Sequence, residues 1–332
     1  MSAPVRLSVA LCTRDRPEML RRALASLAVQ SEPPAEILVI DNAPRDGRTR
    51  EAVEAGSLAM PAVRYLAEPV PGLDFARNRA LAAATQEVVA FLDDDAVAHP
   101  DWAAAMLAPF AESARVGAVT GRVDALAVET PAQRLFEDNG GYARGGQRVR
   151  LPLDAGRPLH GRRAPLIAWA VSVGSGCSLA VRRPLLLSLG GFDEALDLGP
   201  ALPGGGDHDA LWRILQAGHE VVYEPAARAR HEHRRGLDAV GDQIVGHQRA
   251  LVALLVKSFL RSGGERRLGV LAFLAWRLVK PAVRLARRAA GRDPLPAPVL
   301  LRMLGHCWAG LWAYPAALAL ARRRRLVEAG PG

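Results

Sequence analysis

The chain is poor in cysteine. Its 332 residues hold three, Cys12, Cys177 and Cys307, far apart and without a CxxC pair. That excludes a zinc ribbon or a disulfide framework and fits a reducing cytoplasm. Lysine is scarcer still: only Lys257 and Lys280 stand among 43 basic residues. No phosphate-binding loop ending in Gly-Lys occurs. Gly174-Ser175-Gly176 lacks the third glycine and the following helix of a dinucleotide fingerprint. There is no nucleophile elbow, no internal repeat and no clean run of about 20 apolar residues to span a bilayer. The opening, MSAPVRLSVALCTRDRP, has a short apolar stretch that runs straight into charge, so no signal peptide is expected.

What is present is the balance of a globular protein, with 50% hydrophobic and 23% charged residues. The length suits about two domains, or one large domain with an appendage. The net charge of +9 is unevenly spread. Arg261–Gly332 holds 14 basic and 3 acidic residues, a net of +11, and the rest of the chain carries a net of −2. A nearly neutral body with a basic tail points to an anionic partner for the tail.

Apolar runs alternate with helical patterns over the first 123 residues. Strands are expected at Leu7–Cys12, Ile37–Ile40, Val63–Leu66, Val88–Leu92 and Val116–Thr120, and helices at Pro17–Gln30, Leu73–Thr85 and Asp101–Phe110. This order argues for an α/β fold with a mostly parallel sheet, whose ligands bind beyond the carboxyl ends of the strands. Residues 124–170 read as an irregular excursion. After them come the apolar block Val171–Val181, a short helix at Pro184–Leu189, a Gly/Pro-rich loop at Gly199–Gly206, a helix from Asp207 and a strand at Val221–Tyr223.

Chemistry concentrates at a few points. Phe91-Leu92 leads into Asp93-Asp94-Asp95, three carboxylates that would repel one another unless a cation sat among them. Hard oxygens suit Mg²⁺ or Mn²⁺. On an extended segment Asp93 and Asp95 point one way and Asp94 the other. A solvated acidic turn is the alternative. Gly204-Gly205-Gly206-Asp207-His208-Asp209 places carboxylates at a helix start, as a general base or as an ordinary cap. Gly72–Arg79 (GLDFARNR) offers Arg77 and Asn78 to a phosphate or ribose, and Arg228–His233 (RARHEH) offers histidine to a metal or to packing.

This ordered set resembles family 2 glycosyltransferases, inverting enzymes of the GT-A fold. The resemblance runs from Leu7 to His233. It is carried by Cys12–Pro17, Leu38–Asn42, Gly72–Arg79, Phe91–Asp95 with Pro100-Asp101-Trp102, Gly190–Glu194, the GGGDHD run and Val222–Pro225 before His231. It implies that Asp41 reads a nucleotide base, usually uracil, with Thr13 and Arg14 lining the same pocket. It implies that Arg77 and Asn78 contact ribose or diphosphate. Asp93 and Asp95 would match the DxD motif, Asp95 being the more direct ligand of Mg²⁺ or Mn²⁺, and His231 would match a histidine that helps hold the metal. Asp207 would match the catalytic base. One departure stands out: where the family often has Glu-Asp-x-Asp, Gly206 replaces the Glu, which makes Asp209 a rival of Asp207.

The expectation is therefore metal-dependent transfer from a nucleotide-diphosphate sugar, a UDP-sugar first, to an acceptor hydroxyl with inversion. The alternatives are a non-catalytic membrane-attached scaffold and a GT-A nucleotidyltransferase, the latter opposed by the missing glycine-rich loop and lysine. The expected division is a donor-binding half at 1–123, an acceptor-side half at 124–250 and a basic amphipathic helical tail at 251–332. Leu268–Ala290 and Met303–Ala321, with Trp308, Trp312 and Arg322–Arg325, read either as a helical hairpin packed on the body or as helices on the anionic inner leaflet. The one-sided charge favours the second. A lipid-linked glycan acceptor, peripheral attachment at the inner membrane face and no nucleic-acid partner follow as expectations.

Overall fold

The computed structural model describes residues 6–57, 63–151 and 165–329. One mixed sheet organises the body. Its path runs β3 (Val63–Glu68), β2 (Glu36–Asn42), β1 (Leu7–Thr13), β4 (Val88–Asp93), β8 (Ser178–Arg182), β6 (Val116–Ala125), β9 (Glu220–His231) and β5 (Ala96–Ala98), with β7 (Val149–Leu151) also on β9. β1, β2, β3 and β4 pair in parallel, β8 runs antiparallel between β4 and β6, and β6 pairs in parallel with β9. The expected α/β class with a mostly parallel sheet is the one observed.

Alternation along the strands sends side chains to two cores. Ala10, Leu38, Ile40, Phe91 and Leu179 face one; Val9, Leu11, Val39, Leu92 and Val119 face the other. β2 is buried along its whole length, as a strand covered on both faces must be. The second face is covered by α1 (Pro17–Ala28) and α4 (Trp102–Glu112). The first carries α3 (Leu73–Ala83) and α8 (Gly206–Gln216).

Several elements were not anticipated: α2 (Arg48–Ser57), β5, α5 (Pro131–Asp138) and α6 (Leu166–Ala170). α5 opens with a Thr130/Gln133 capping box, a local signal within the span read as irregular. Part of that span, 152–164, lies outside the described residues. α7 (Arg183–Ser188) follows β8 as expected. β9 extends well past Tyr223, so Arg228–His231 lies on a strand and not after one.

The C-terminal region is three long helices, α9 (Leu237–Arg261), α10 (Gly264–Ala289) and α11 (Ala297–Ala329). The division expected at 250/251 falls inside α9. Val252, Leu255, Leu274, Cys307, Tyr314 and Ala321 join the same core as the sheet residues. Gly310 lets α11 approach α9 closely, since a Cβ there would meet Val252 at 2.8 Å and the Arg249 carbonyl at 2.9 Å. The hairpin thus packs on the body through its inner face. Its outer face keeps Leu268, Trp276, Val279, Leu301, Trp308 and Trp312 exposed. Among the described residues, no helix is long and apolar enough to cross a membrane.

Candidate active site

The carboxyl ends of β2 and β4 bring Asp41 and Asp93 to one edge. Asp41 is 1% exposed. The Tyr65 hydroxyl donates to its Oδ2 at 3.0 Å, while its Oδ1 is buried without a hydrogen-bond partner. Burial pushes its pKa up against the pull of Tyr65 and Thr49. A buried acceptor oxygen left open is a place for an N–H donor. Asn42 ties this edge to α3: it donates to the Val70 carbonyl (2.7 Å) and accepts from the Gly72 N–H (2.9 Å).

Thr13 lies at the end of β1, and its hydroxyl donates to Asp94 at 2.7 Å. Arg14 stands exposed beyond it, near Arg324 of α11. Arg16, which sequence reasoning did not single out, reaches Asp94 and Asp95, each at 3.2 Å. Asp94 and Asp95 lie in the turn that follows β4, where strand alternation no longer applies: Arg16 reaches both, Asp94 also meets Thr13, and Asp95 also meets His231.

Asp95 Oδ1 lies 3.2 Å from His231 Nε2. Burial pushes Asp95 up, but His231 and Arg16 outweigh it and hold it below the usual range. Asp93 is pushed up to about 7, first by burial and then by the Asp95 charge. His231 is part of a longer chain. Its Nδ1 lies 3.1 Å from Nδ1 of His233, whose Nε2 lies 2.7 Å from Glu137 of α5. Burial pushes the His233 pKa down, which favours the neutral ring. With His233 Nε2–H donating to Glu137, its Nδ1 accepts from His231, and His231 Nε2 faces Asp95. Asp93, Cys177 and His231 offer ligand atoms within 4.8 Å of one another, a grouping that can hold a metal ion. Cys177 and Glu137 carried no signal in the sequence, since neither sits in a recognisable motif.

α8 brings Asp207 to the same edge. Gly205, with φ +103°, caps the helix. Asp207 accepts from the Gly176 N–H at 2.6 Å and from the His208 N–H at 2.7 Å. Burial raises its pKa, but His208, Arg77 and these N–H groups prevail and keep it ionised. Asp209 has different surroundings. Two residues on, it turns about 200° around the helix, and Lys257 (2.6 Å) and Arg213 (2.7 Å) enclose it with no exposure.

Arg77 is buried and bonds Asp74 at 2.9 Å, with Asp197 at 3.5 Å. Asn78, expected at ribose or diphosphate, is turned elsewhere. Its amide donates to the Phe192 carbonyl (3.0 Å) and Glu194 (2.9 Å), and its oxygen accepts from the Phe192 N–H (2.7 Å). Both ends of its amide hold the GGFDE loop. Gly206 also finds its reason. A Cβ there would lie 1.8 Å from Asp74 Oδ2, so the Asp74 carboxyl fills the space of any side chain at 206. An acid stands at the place where the resemblance expects Glu, but it comes from α3.

The family model for glycosyl transferase family 2 matches residues 8–189. Over 164 residues the chain is 32% identical to the pre-mycofactocin glycosyltransferase of Mycobacterium tuberculosis, a match covering 49% of this chain and 30% of that protein. With the succinoglycan biosynthesis protein ExoM of Rhizobium meliloti it shares 28% identity over 263 residues, 77% of this chain and 72% of ExoM. The mannosyltransferase PcManGT of Pyrobaculum calidifontis, solved with GDP-Man and Mn²⁺, superposes with a TM-score of 0.58 at 22% identity, over 96% of this chain and 88% of that one.

Proposed function

From the premise that the chain belongs to glycosyl transferase family 2, we propose that it moves a sugar from a nucleotide-diphosphate sugar to an acceptor hydroxyl with inversion. The observation that carries this reading is the convergence of Asp41, Asp93, Asp95, His231 and Asp207 on one edge of the sheet. Asp41 offers its open Oδ1 to an N–H of the base, with the Thr13–Arg14 segment beside it. Uracil presents one such donor and guanine two, so UDP- and GDP-sugars are both tested, UDP-sugars first.

A divalent cation, Mn²⁺ or Mg²⁺, fits the donor set. Asp93 lies half-buried beside Asp95, whose charge helps push its pKa up, a repulsion that a cation relieves. Asp95, Asp93 and His231 would hold it, and it would supply charge neutralisation for the departing diphosphate. Arg77, joined to Asp74 and Asp197, adds positive charge beneath the site. Asp207, ionised and held by two N–H groups, takes the proton of the acceptor hydroxyl. That oxygen attacks the anomeric carbon opposite the diphosphate, and the new bond has inverted configuration.

The tail bears on the acceptor. Its outer face carries exposed tryptophans and leucines with arginines at the helix ends, which suits an anionic membrane surface. On that ground the acceptor is a lipid-linked glycan, and the enzyme sits peripherally at the inner leaflet. The division into a donor-binding half at 1–123, an acceptor-side half at 124–250 and a tail at 251–332 stands with this reading.

The test is release of nucleoside diphosphate from a panel of UDP- and GDP-sugars with Mn²⁺ or Mg²⁺, read beside thermal shift. One donor should stabilise the protein and be slowly hydrolysed. Asp95→Ala should abolish both effects, and Asp207→Asn should keep binding and lose turnover. Donor binding without turnover under every acceptor fraction would overturn the transferase reading in favour of a scaffold.

A further inference from the structure

The acidic edge holds a group that hydrolysis and transfer leave unused. Cys177 immediately precedes β8 and is 4% exposed. The register of β8 against β4 fixes it there, because the Asp93 N–H donates to the Cys177 carbonyl at 3.2 Å. Its sulfur, an Asp93 oxygen and a His231 nitrogen lie within 4.8 Å of one another. Asp95 is not one of these three but lies 3.2 Å from the same imidazole. Cys12 is in register with Asp93 on the neighbouring strand, yet its sulfur is outside this grouping.

Donor types select metals. Oxygen alone suits Mg²⁺, which takes near-octahedral carboxylate and water ligands. Imidazole and thiolate favour softer ions, with Co²⁺ and Zn²⁺ far above Mn²⁺ and Mg²⁺. A set of carboxylate, imidazole and sulfur is therefore poorly matched to Mg²⁺.

We propose that Cys177 is a ligand of the metal centre, giving it an oxygen, nitrogen and sulfur donor set that binds thiophilic divalent cations in preference to Mg²⁺. This rests on reading Asp93, Asp95 and His231 as a metal centre. Two consequences follow for the proposed transferase. Mn²⁺ is preferred to Mg²⁺, and Zn²⁺ displaces Mn²⁺.

The test titrates the full-length, metal-free protein with Co²⁺ and records sulfur-to-cobalt charge-transfer absorption in the near ultraviolet. Mn²⁺ binding is followed in parallel by electron paramagnetic resonance. The wild type and Cys12→Ser should show the band. Cys177→Ser and Cys177→Ala should lack it and bind Co²⁺ at least about tenfold more weakly. Retained Mn²⁺ binding in both variants reports that the centre is still folded. Co²⁺ bound without a sulfur band in the wild type overturns the proposal, as does a band that survives in Cys177→Ala. If the wild type binds neither Co²⁺ nor Mn²⁺, the metal centre itself falls, and Cys177 with it. If Mn²⁺ binds and Asp95→Ala abolishes it, while Cys177→Ala changes nothing, only the sulfur is refuted.

Discussion

The carboxyl edge of the sheet and the C-terminal helices handle charge in opposite ways. At the edge the charges are few, acidic and buried, and each has a named neighbour: Asp94 with Thr13 and Arg16, Asp95 with His231, Asp207 with two N–H groups. On the helices the charges are many and basic, and a good part of them stand in solvent. Where they do pair, they fasten the hairpin to the body. Lys257 joins Asp193 (2.5 Å) and Asp209 (2.6 Å), Tyr314 donates to Asp193 (2.7 Å), Arg325 pairs with Glu194, and Arg324 bonds the Pro71 carbonyl. The edge works through individual residues at fixed positions. The helices work through the composition of a face, with a few bolts beneath it.

Substitutions break the comparison unequally. Asp207→Asn should lower kcat by about 10²–10⁴-fold with donor affinity preserved, as measured by product release and donor titration. A fall below tenfold would move the base elsewhere. Lys257→Met acts on one of the bolts and removes the cation that Asp193 and Asp209 share, leaving Asp209 to Arg213 and Asp193 to Tyr314. It should cost about 3–5 kcal/mol of stability by denaturant unfolding. If it costs nothing, the tail does not secure α8.

Glu137 lies outside the acidic edge but sets the orientation of two histidines. Glu137→Leu should weaken Mn²⁺ binding about 10–100-fold, and Glu137→Gln, which keeps an acceptor for His233, should recover most of the loss. Equal losses in both would show that the carboxylate acts through its charge instead.

The hairpin face should respond in proportion to area. Trp308→Ala and Trp312→Ala should each reduce partition into anionic vesicles roughly tenfold, in co-sedimentation, with turnover on a soluble acceptor unchanged. Lys280 gives the smallest effect. Burial first, and then Arg277 and Arg284, push its pKa down to about 8. It is therefore charged below pH 8 and increasingly neutral above it. Between about 8 and its ordinary value the folded form holds fewer protons than the unfolded chain, so this group's contribution to stability rises with pH there. At pH 8 Lys280 should take an amine-reactive label while Lys257, buried in two ion pairs, does not. Anionic vesicles should suppress that label, and neutral ones should not.

The parts of the site visible in the sequence share one property: each follows a strand or opens a helix with its own local pattern. Asp41 ends an apolar run, Asp93–Asp95 end another, and Asp207 follows three glycines. The parts that were hidden depend on partners. Nothing beside Cys177 in the chain announces that β8 will lay it against Asp93. Nothing in RARHEH tells that a residue of α5 orients both histidines. Asn78 sits in a recognisable motif, and only the course of the GGFDE loop decides that its amide bonds Phe192 and Glu194.

By itself the sequence determined the α/β class, the alternation of the first strands and helices along the chain and the one-sided charge of the tail. Each of these is a matter of periodicity or composition, which report the face a side chain takes and the solvent it tolerates. Only the tertiary structure decided which partner each buried group meets. It put Asp74 into the space left by Gly206, sealed Asp209 behind Lys257 and Arg213, joined Glu137 to His231 through His233, and seated the hairpin on the sheet's own core. The reason is physical. A buried carboxylate or imidazole gains or loses several kcal/mol with its neighbours, and those neighbours are brought in from distant segments by packing that no local pattern encodes.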